Sequence, residues 1–441
     1  MRLLDSPRVR SVFLVLLLSL LLAGDAWRYA AGWWVYGVLA VIAAAFSVLM
    51  LVAHRDRWRI GALPYPLLVF LVLATASLAW SFYPAATALG LLSTWLVTVA
   101  ALWLAVGYRW QEFVRGLGTL LRIVLGASIV FELFVALVLR RPILPLFIQP
   151  GVDYSDYEKL PKMLYWSRNE LFEVFDEGRI QGIVGNANHL GMLAALGVIV
   201  FAIQLADRST RRSWTVLWLA LAGVTLLLTR SATVTLALAA AAVAVLAAIV
   251  VRRADTPRRR RIAYGTIAAV IAVGAALAIV FRSSLLGVLG KSADFTGRVG
   301  IWEKVIELAA QRPAFGWGWV GYWVPWAEPF ENLAFRNGVR QLQAHDVWLD
   351  VWLQLGILGV VVFAALVLSA AIRSWTFAID RPQFGRAPAG SYTAWALLPL
   401  AIIVVLLVQS VAESRLITEY GWAFLVLIAT KTKVLEVPST R

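Results

Sequence analysis

Residues 214–251 read WTVLWLALAGVTLLLTRSATVTLALAAAAVAVLAAIVV. Two apolar runs, Trp214–Leu228 and Ser231–Val251, are separated only by Thr229 and Arg230. A bilayer core takes roughly 20 apolar residues of helix. The pair therefore reads as two membrane-spanning helices joined by a very tight turn. Arg208, Arg211 and Arg212 stand before this hairpin, and Arg252, Arg253 and Arg258–Arg261 stand after it. Short cytoplasmic loops are rich in Lys and Arg. Both ends of the hairpin read as cytoplasmic, and Arg230 reads as lying on the far side.

The same scan, carried outward, gives about twelve runs in all. The others are Ser11–Ala23, Trp33–Val52, Leu63–Trp80, Ala85–Val106, Leu117–Leu139, Leu190–Leu205, Ile262–Val280, Val347–Ala371, Tyr392–Val411 and Ile417–Ala429. Ser11–Ala23 has the length and basic flank of a signal peptide. Ala23-Gly24-Asp25 is a poor small-x-small cleavage site, so the run reads as a span. With the N-terminus in the cytoplasm and the spans alternating, the inner segments hold 23 Lys and Arg and seven acids, a net +16. The rest of the chain nets −1. Both termini then lie in the cytoplasm, and two long segments, 140–189 and 282–346, lie outside.

The chain has 441 residues, 61% hydrophobic and 15% charged, with no cysteine. Soluble domains carry about 45–50% apolar and about 25% charged residues, so a soluble globular enzyme is excluded. Without cysteine there are no disulfides, thiolate metal sites or cysteine nucleophiles. The +15 net charge is accounted for by topology and implies no nucleic-acid partner. The fold class is an all-α integral membrane protein of about 12 helices, a single polytopic domain over 1–441, in contact with the lipid bilayer.

Chemistry falls to the outer segments. There are three histidines, His54, His189 and His345. His54 sits in an arginine-rich inner loop and reads as solvated. His345 ends the second outer segment directly before a span, where an imidazole can move a proton near neutral pH. The alternative is a helix cap, which Asp346 also suits. Arg230 is either an anchor snorkelling to headgroups or a guanidinium that grips a phosphate. Arg298 opens a helical-period stretch in which Ile301, Trp302, Val305, Ile306 and Ala309 share one face, with Thr296 as expected N-cap. Anions are favoured at such a helix start. The aromatic and glycine run Phe315–Trp323 suits a tight turn presenting rings to sugar or to the membrane interface. Asn186, Asn188 and His189 open the sixth span as capping material or as a polar wall. The acidic residues of 153–177 read as solvated loop, with no metal-ligand spacing.

In order, Leu228–Ala232, Thr296-Gly297-Arg298 with Ile301-Trp302, Pro313–Gly318, Ala344-His345-Asp346 and Leu355–Gly359 resemble the O-antigen ligase family, which includes polymerase-like members. The clearest resemblance covers 186–368. Asp346 and Trp348 stand where the family commonly has asparagine and, soon after, often tyrosine. The resemblance implies transfer of a glycan from an undecaprenyl-diphosphate carrier to a hydroxyl acceptor at the outer face of the cytoplasmic membrane, with neither metal nor nucleotide cofactor. On this reading His345, Arg298 and Arg230 are the catalytic residues. Asp346, Arg340, Asn186, Asn188, Trp302 and Tyr322 are the candidate substrate contacts. Two rivals are a polysaccharide polymerase of the same family and a lipid-linked sugar flippase. Transporters place ionisable residues at mid-span, whereas Arg122, Glu132 and Asp350 each fall toward a span end.

Overall fold

The computed structural model describes residues 6–148, 152–176, 178–280, 298–336, 339–380 and 392–433. Helices dominate: α1 Pro7–Leu22, α2 Gly24–Ala53, α3 Tyr65–Ala76, α4 Pro84–Gly107, α5 Trp110–Phe134, α6 Ala187–Ala206, α7 Arg212–Thr229, α8 Ala232–Arg253, α9 Pro257–Val280, α10 Val299–Gln311, α11 Val347–Ile379, α12 Leu398–Ser410 and α13 Glu419–Lys431. A helix lies over every apolar run read from the sequence. Among the described residues, seven are long and apolar enough to cross a membrane: α2, α4, α5 with its continuation to Leu139, α6, α7, α8 and α11. Tyr65–Ala79 and Ala394–Ser410 are shorter apolar stretches. The protein is a multi-pass membrane protein.

Burial sorts the helices. Every residue of α13 from Tyr420 to Lys431 is buried, as is most of α6. These two form the centre, although α13 has only 13 residues. Outer helices such as α2, α7 and α8 leave large apolar side chains bare, as a lipid-facing surface requires. Contacts define two ends of the bundle. At one, Lys431 Nζ donates to Ala105 O (3.1 Å), Lys433 Nζ to Leu63 O (2.6 Å) and Arg10 Nη2 to Gly107 O. His54 is buried here, not solvated: Nδ1 meets Met50 O at 3.0 Å and the ring lies against Trp103. The other end carries the candidate site.

Two glycines break long helices near that second end. Gly32 in α2 (φ 87°) and Gly356 in α11 (φ 66°) have left-handed backbone that interrupts the helical ladder. The tenth apolar run, expected as one span from Val347, is thus divided, and Gly356–Ile379 alone reaches about 36 Å at 1.5 Å per residue. The segment after α10 repairs the break. Ile357 N donates to Pro313 O (2.8 Å) and Leu358 N to Ala314 O (3.3 Å), while Leu353 O and Gln354 O accept from Trp317 N and Gly318 N. Gln354 Oε1 accepts from Val320 N and Gly321 N. The aromatic run is therefore core and not a displayed surface. Trp317, Trp319 and Trp323 are buried, and Phe315 is exposed. A tight turn threaded against α4 at Gly90, where a Cβ would lie 2.5 Å from Val320 O, leaves its rings nowhere else to go.

Helix α10 packs on α11. It buries Ile301, Val305, Leu308 and Ala309, so Leu308 replaces Ile306 on the expected inner face, and Ile306 is exposed. Arg298 occupies its N-cap position. The expected cap Thr296 lies outside the described residues, as do 281–297 of the second long segment.

Candidate functional site

The turn after α12 carries Glu413, a residue the sequence reading passed over. Its carboxylate gathers side chains from widely separated stretches. Oε2 lies 3.0 Å from His345 Nδ1 and accepts from Gln343 Nε2 at 3.2 Å. Oε1 accepts from Arg298 Nη2 at 3.1 Å and from Asn188 Nδ2 at 3.2 Å. Burial pushes the carboxyl up, but His345, Arg298 and Arg415 outweigh it and hold the pKa down at about 2. The group is a fixed anion at the focus of the site.

His345 has left-handed backbone (φ 55°), which is rare outside glycine and concentrates at functional positions. Its Nε2 lies 3.0 Å from Gln341 Oε1, and the Gln341 amide is oriented by its own bond to Val339 O at 2.8 Å. The cap of α11 falls to Asp346, which accepts from Trp348 N (2.8 Å) and Leu349 N (3.1 Å). The ring of His345 is thereby left to the site. Asp350 braces both partners. It accepts from Ala344 N (2.9 Å), beside His345, from Ser414 Oγ, beside Glu413, and from Trp323 Nε1 (2.7 Å). Trp302 Nε1 donates to Ala344 O at 3.0 Å, so this side chain supports the histidine's neighbour.

Arg298 is buried, and its Nε has no hydrogen-bond partner among the described residues. Asn188 Oδ1 accepts from Ser231 Oγ (3.1 Å) and from Arg179 Nη2 (2.8 Å), and Arg179 Nε donates to Thr229 O (2.8 Å). The tip of the α7–α8 hairpin is thus tied to the site through Thr229 and Ser231. Arg230 itself is exposed at the rim, with left-handed backbone (φ 48°). Asn186 caps α6, accepting from Asn188 N and His189 N. Arg340 lies over the Phe335 ring at 5.8 Å, on the small β-hairpin. Of the expected residues, His345, Arg298 and Asn188 meet at Glu413, Arg230 borders them, and Asn186, Asp346 and Trp302 serve the local architecture.

A second buried cluster adjoins the first. Arg28 pairs with Asp25 and with Glu419 (2.7 Å), and Arg415 pairs with Glu419 and lies 3.6 Å from Asp25. His189 Nδ1 lies 3.1 Å from Asp25, and its ring stacks on Tyr420. Tyr322 lies beneath the Arg415 guanidinium at 5.7 Å. Two carboxylates and two guanidiniums balance here. The first long segment is held by Glu132, which accepts from Gln181 N (2.8 Å), Gly182 N (2.7 Å) and Ser167 Oγ (2.8 Å). Not all of that segment's acids are solvated, since Glu170 is buried and paired with Lys162 at 2.7 Å.

Residues 215–364 match the family model described as O-antigen ligase, the region that holds Arg230, Arg298 and His345. The chain is also 29% identical over 205 residues to the exopolysaccharide production protein ExoQ of Rhizobium meliloti (strain 1021). That match covers 43% of this chain and 45% of the relative's length. The family match covers part of the chain, and the chain spans less than half the length of the relative it matches.

Proposed function

We propose that this protein transfers a glycan from an undecaprenyl-diphosphate carrier to a hydroxyl acceptor, as a twelve-span protein of the cytoplasmic membrane with both termini inside and the Glu413 end outside. The observation that carries the reading is the single carboxylate shared by His345 and Arg298. A base and a cation held on one anion suit a displacement in which a proton leaves one oxygen while charge builds on another.

In this mechanism Glu413 holds Nδ1–H of His345 and fixes the tautomer in which Nε2 takes the proton. The acceptor hydroxyl replaces the Gln341 amide at Nε2. As its proton passes to His345, its oxygen bonds to the anomeric carbon of the glycan. The bond from that carbon to the carrier phosphate breaks, and the lipid diphosphate leaves with the electron pair. Arg298, with an Nε–H unspent, meets the growing charge, and Arg230 meets it from the rim. Holding lipid donor and acceptor together supplies the remaining rate enhancement.

The relative's name, an exopolysaccharide production protein, favours a growing polysaccharide as acceptor. Purified protein in lipid nanodiscs, given lipid-linked glycan and an acceptor, tests both readings. A ladder of products means polymerisation, and a single added glycan means ligation. If no glycan leaves the carrier with any envelope acceptor, the proposal is wrong.

A further inference from the structure

The nitrogen that has to take the acceptor's proton is covered in this structure. Nε2 of His345 lies 3.0 Å from Gln341 Oε1. The orientation of the Gln341 amide is fixed, because its own Nε2 donates to Val339 O at 2.8 Å. An amide oxygen only accepts, so the contact puts a proton on His345 Nε2, and that nitrogen can take no other. On the opposite side of the ring, Nδ1 faces Glu413 Oε2 at 3.0 Å, nearer than the Gln343 amide nitrogen at 3.3 Å. Both ring nitrogens are thus engaged from within the chain, one by the anion that orients the ring and one by Gln341. Gln341 is buried, whereas His345 is only partly so, and water can approach the ring.

The backbone on either side of Gln341 is fastened, which leaves its side chain as the part that can move. Gln341 N donates to Ala334 O at 2.9 Å, closing the hairpin in which Phe335 pairs with Arg340. Leu342 O accepts from Trp323 N at 2.9 Å, and Val339 is buried in one cluster with Trp323, Phe330 and Ala344. Glu413 already orients the imidazole, and Asp346 already caps α11. What the Gln341 oxygen adds is occupancy of Nε2. An acceptor hydroxyl that replaces it makes one hydrogen bond for the one lost and brings the contacts of the glycan that carries it. A lone water makes the same exchange and brings nothing more. Using the binding energy of the right substrate to bring a catalytic group into play is a general means of specificity, and keeping water out until then suppresses hydrolysis.

From this we infer that Gln341 makes the site select an acceptor hydroxyl over water, by standing at His345 Nε2 until a bound acceptor displaces it. The inference rests on the transfer proposed above. A glycan on a lipid diphosphate is already activated, and water can react by the same route as the acceptor. Its oxygen bonds to the anomeric carbon and its proton passes to His345 Nε2. The bond to the carrier phosphate breaks, and the lipid diphosphate leaves with the electron pair. The glycan is then released and not transferred. With the amide in place Nε2 takes no proton, and this route is closed. Once an acceptor has moved the amide aside, Nε2 gives its proton to solvent and is free to take the acceptor's. Gln341 is therefore a specificity-determining residue that acts through His345.

The test compares full-length wild type, Gln341→Ala, Gln341→Ser and Gln341→Glu in lipid nanodiscs. Each is given the undecaprenyl-diphosphate-linked glycan of its own cells, with and without the surface polysaccharide of those cells as acceptor. Free and transferred glycan are both measured, and the readout is their ratio. Alanine and serine are too short to reach Nε2, so the ratio of free to transferred glycan should rise about tenfold, the weight of one hydrogen bond near the upper end of its usual range. Glutamate keeps an oxygen at Nε2 and should hold the wild-type ratio even where total turnover falls. A merely structural role would lower both products together. If the alanine and serine variants keep the wild-type ratio while wild type transfers glycan, the inference fails alone. A rise in the glutamate variant as well would overturn it, since an oxygen at Nε2 would then not exclude water. It is also overturned, with no variant needed, if wild type without acceptor releases glycan as fast as it transfers it with one. If wild type neither releases nor transfers glycan, the proposed reaction falls and the inference with it.

Discussion

One carboxylate, Glu413, organises His345 and the buried Arg298, and its substitution separates charge from shape. Glu413→Gln keeps the volume but removes the charge, and it replaces one of the two accepting oxygens by an amide nitrogen that donates. It should lower glycan transfer about 10²–10⁴-fold with donor binding retained. His345→Gln should lose transfer to a similar degree while staying folded, because Asp346 alone caps α11. Near wild-type transfer by His345→Gln at normal expression would remove the base assignment. The carboxylate also predicts a pH dependence of stability. Its folded pKa of about 2 lies below the ordinary 4.5, so its ion pairs stabilise fully above pH 4.5, and that contribution is lost as pH falls from there through 2. At 1.36 kcal/mol per unit this is roughly 3 kcal/mol. The melting temperature of Glu413→Gln should lie below wild type at pH 7, and the gap should narrow on acidification below 4.5. A gap independent of pH would mean that the charge does not stabilise the fold. His345 and Arg298 were legible in the sequence because their neighbours form motifs. Glu413 was not, since an acid after an apolar run looks like any loop residue. The signal that marks it is topological: alternation of spans places it at the same end as His345.

Among the helices, the break in α11 is the most exacting feature. Gly356 has φ 66°, and a Cβ there would lie 2.2 Å from Ala314 backbone. Gly356→Ala should therefore cost more than the usual 1–3 kcal/mol of overpacking, seen as a lowered melting temperature in detergent with loss of transfer. Gly37→Ala, at a position open to space, is the control and should melt as wild type. Hydropathy revealed where helices lie, because lipid demands apolar side chains wherever backbone bonds are satisfied internally. It was blind to the breaks, because glycine is ordinary in membrane helices. The aromatic run was misread for a related reason. Composition shows that rings are present, and only packing against α4 and α11 decides whether they face inward.

The charge distribution makes the arrangement across the membrane testable in this cysteine-free chain. Cysteines placed at exposed Ser155 and Asn332 should react with an impermeant maleimide in intact cells, and one at Ser209 should react only after lysis. Protection of the first two would overturn the proposed orientation. Lys and Arg counts lead to the proposed orientation without a structure, because the bias acts on every short loop together. The site was harder to foresee, because its parts arrive from residues as far apart as Asn188 and Glu413 and no local pattern joins them.

Glu413 is contributed by the turn between the last two helices, so the order of synthesis matters. A ribosome that has delivered His345 and Arg298 to the membrane has still not delivered the anion that unites them. The nascent protein should stay inert toward lipid-linked glycan until α12 and α13 have been inserted. A chain ending after Ser410 should be silent even with its histidine and arginines intact, and supplying 411–441 as a separate fragment in the same membrane should restore transfer. On the proposed reaction the chain carries its own checkpoint on assembly: transfer begins only once α12, α13 and the turn between them stand in the membrane.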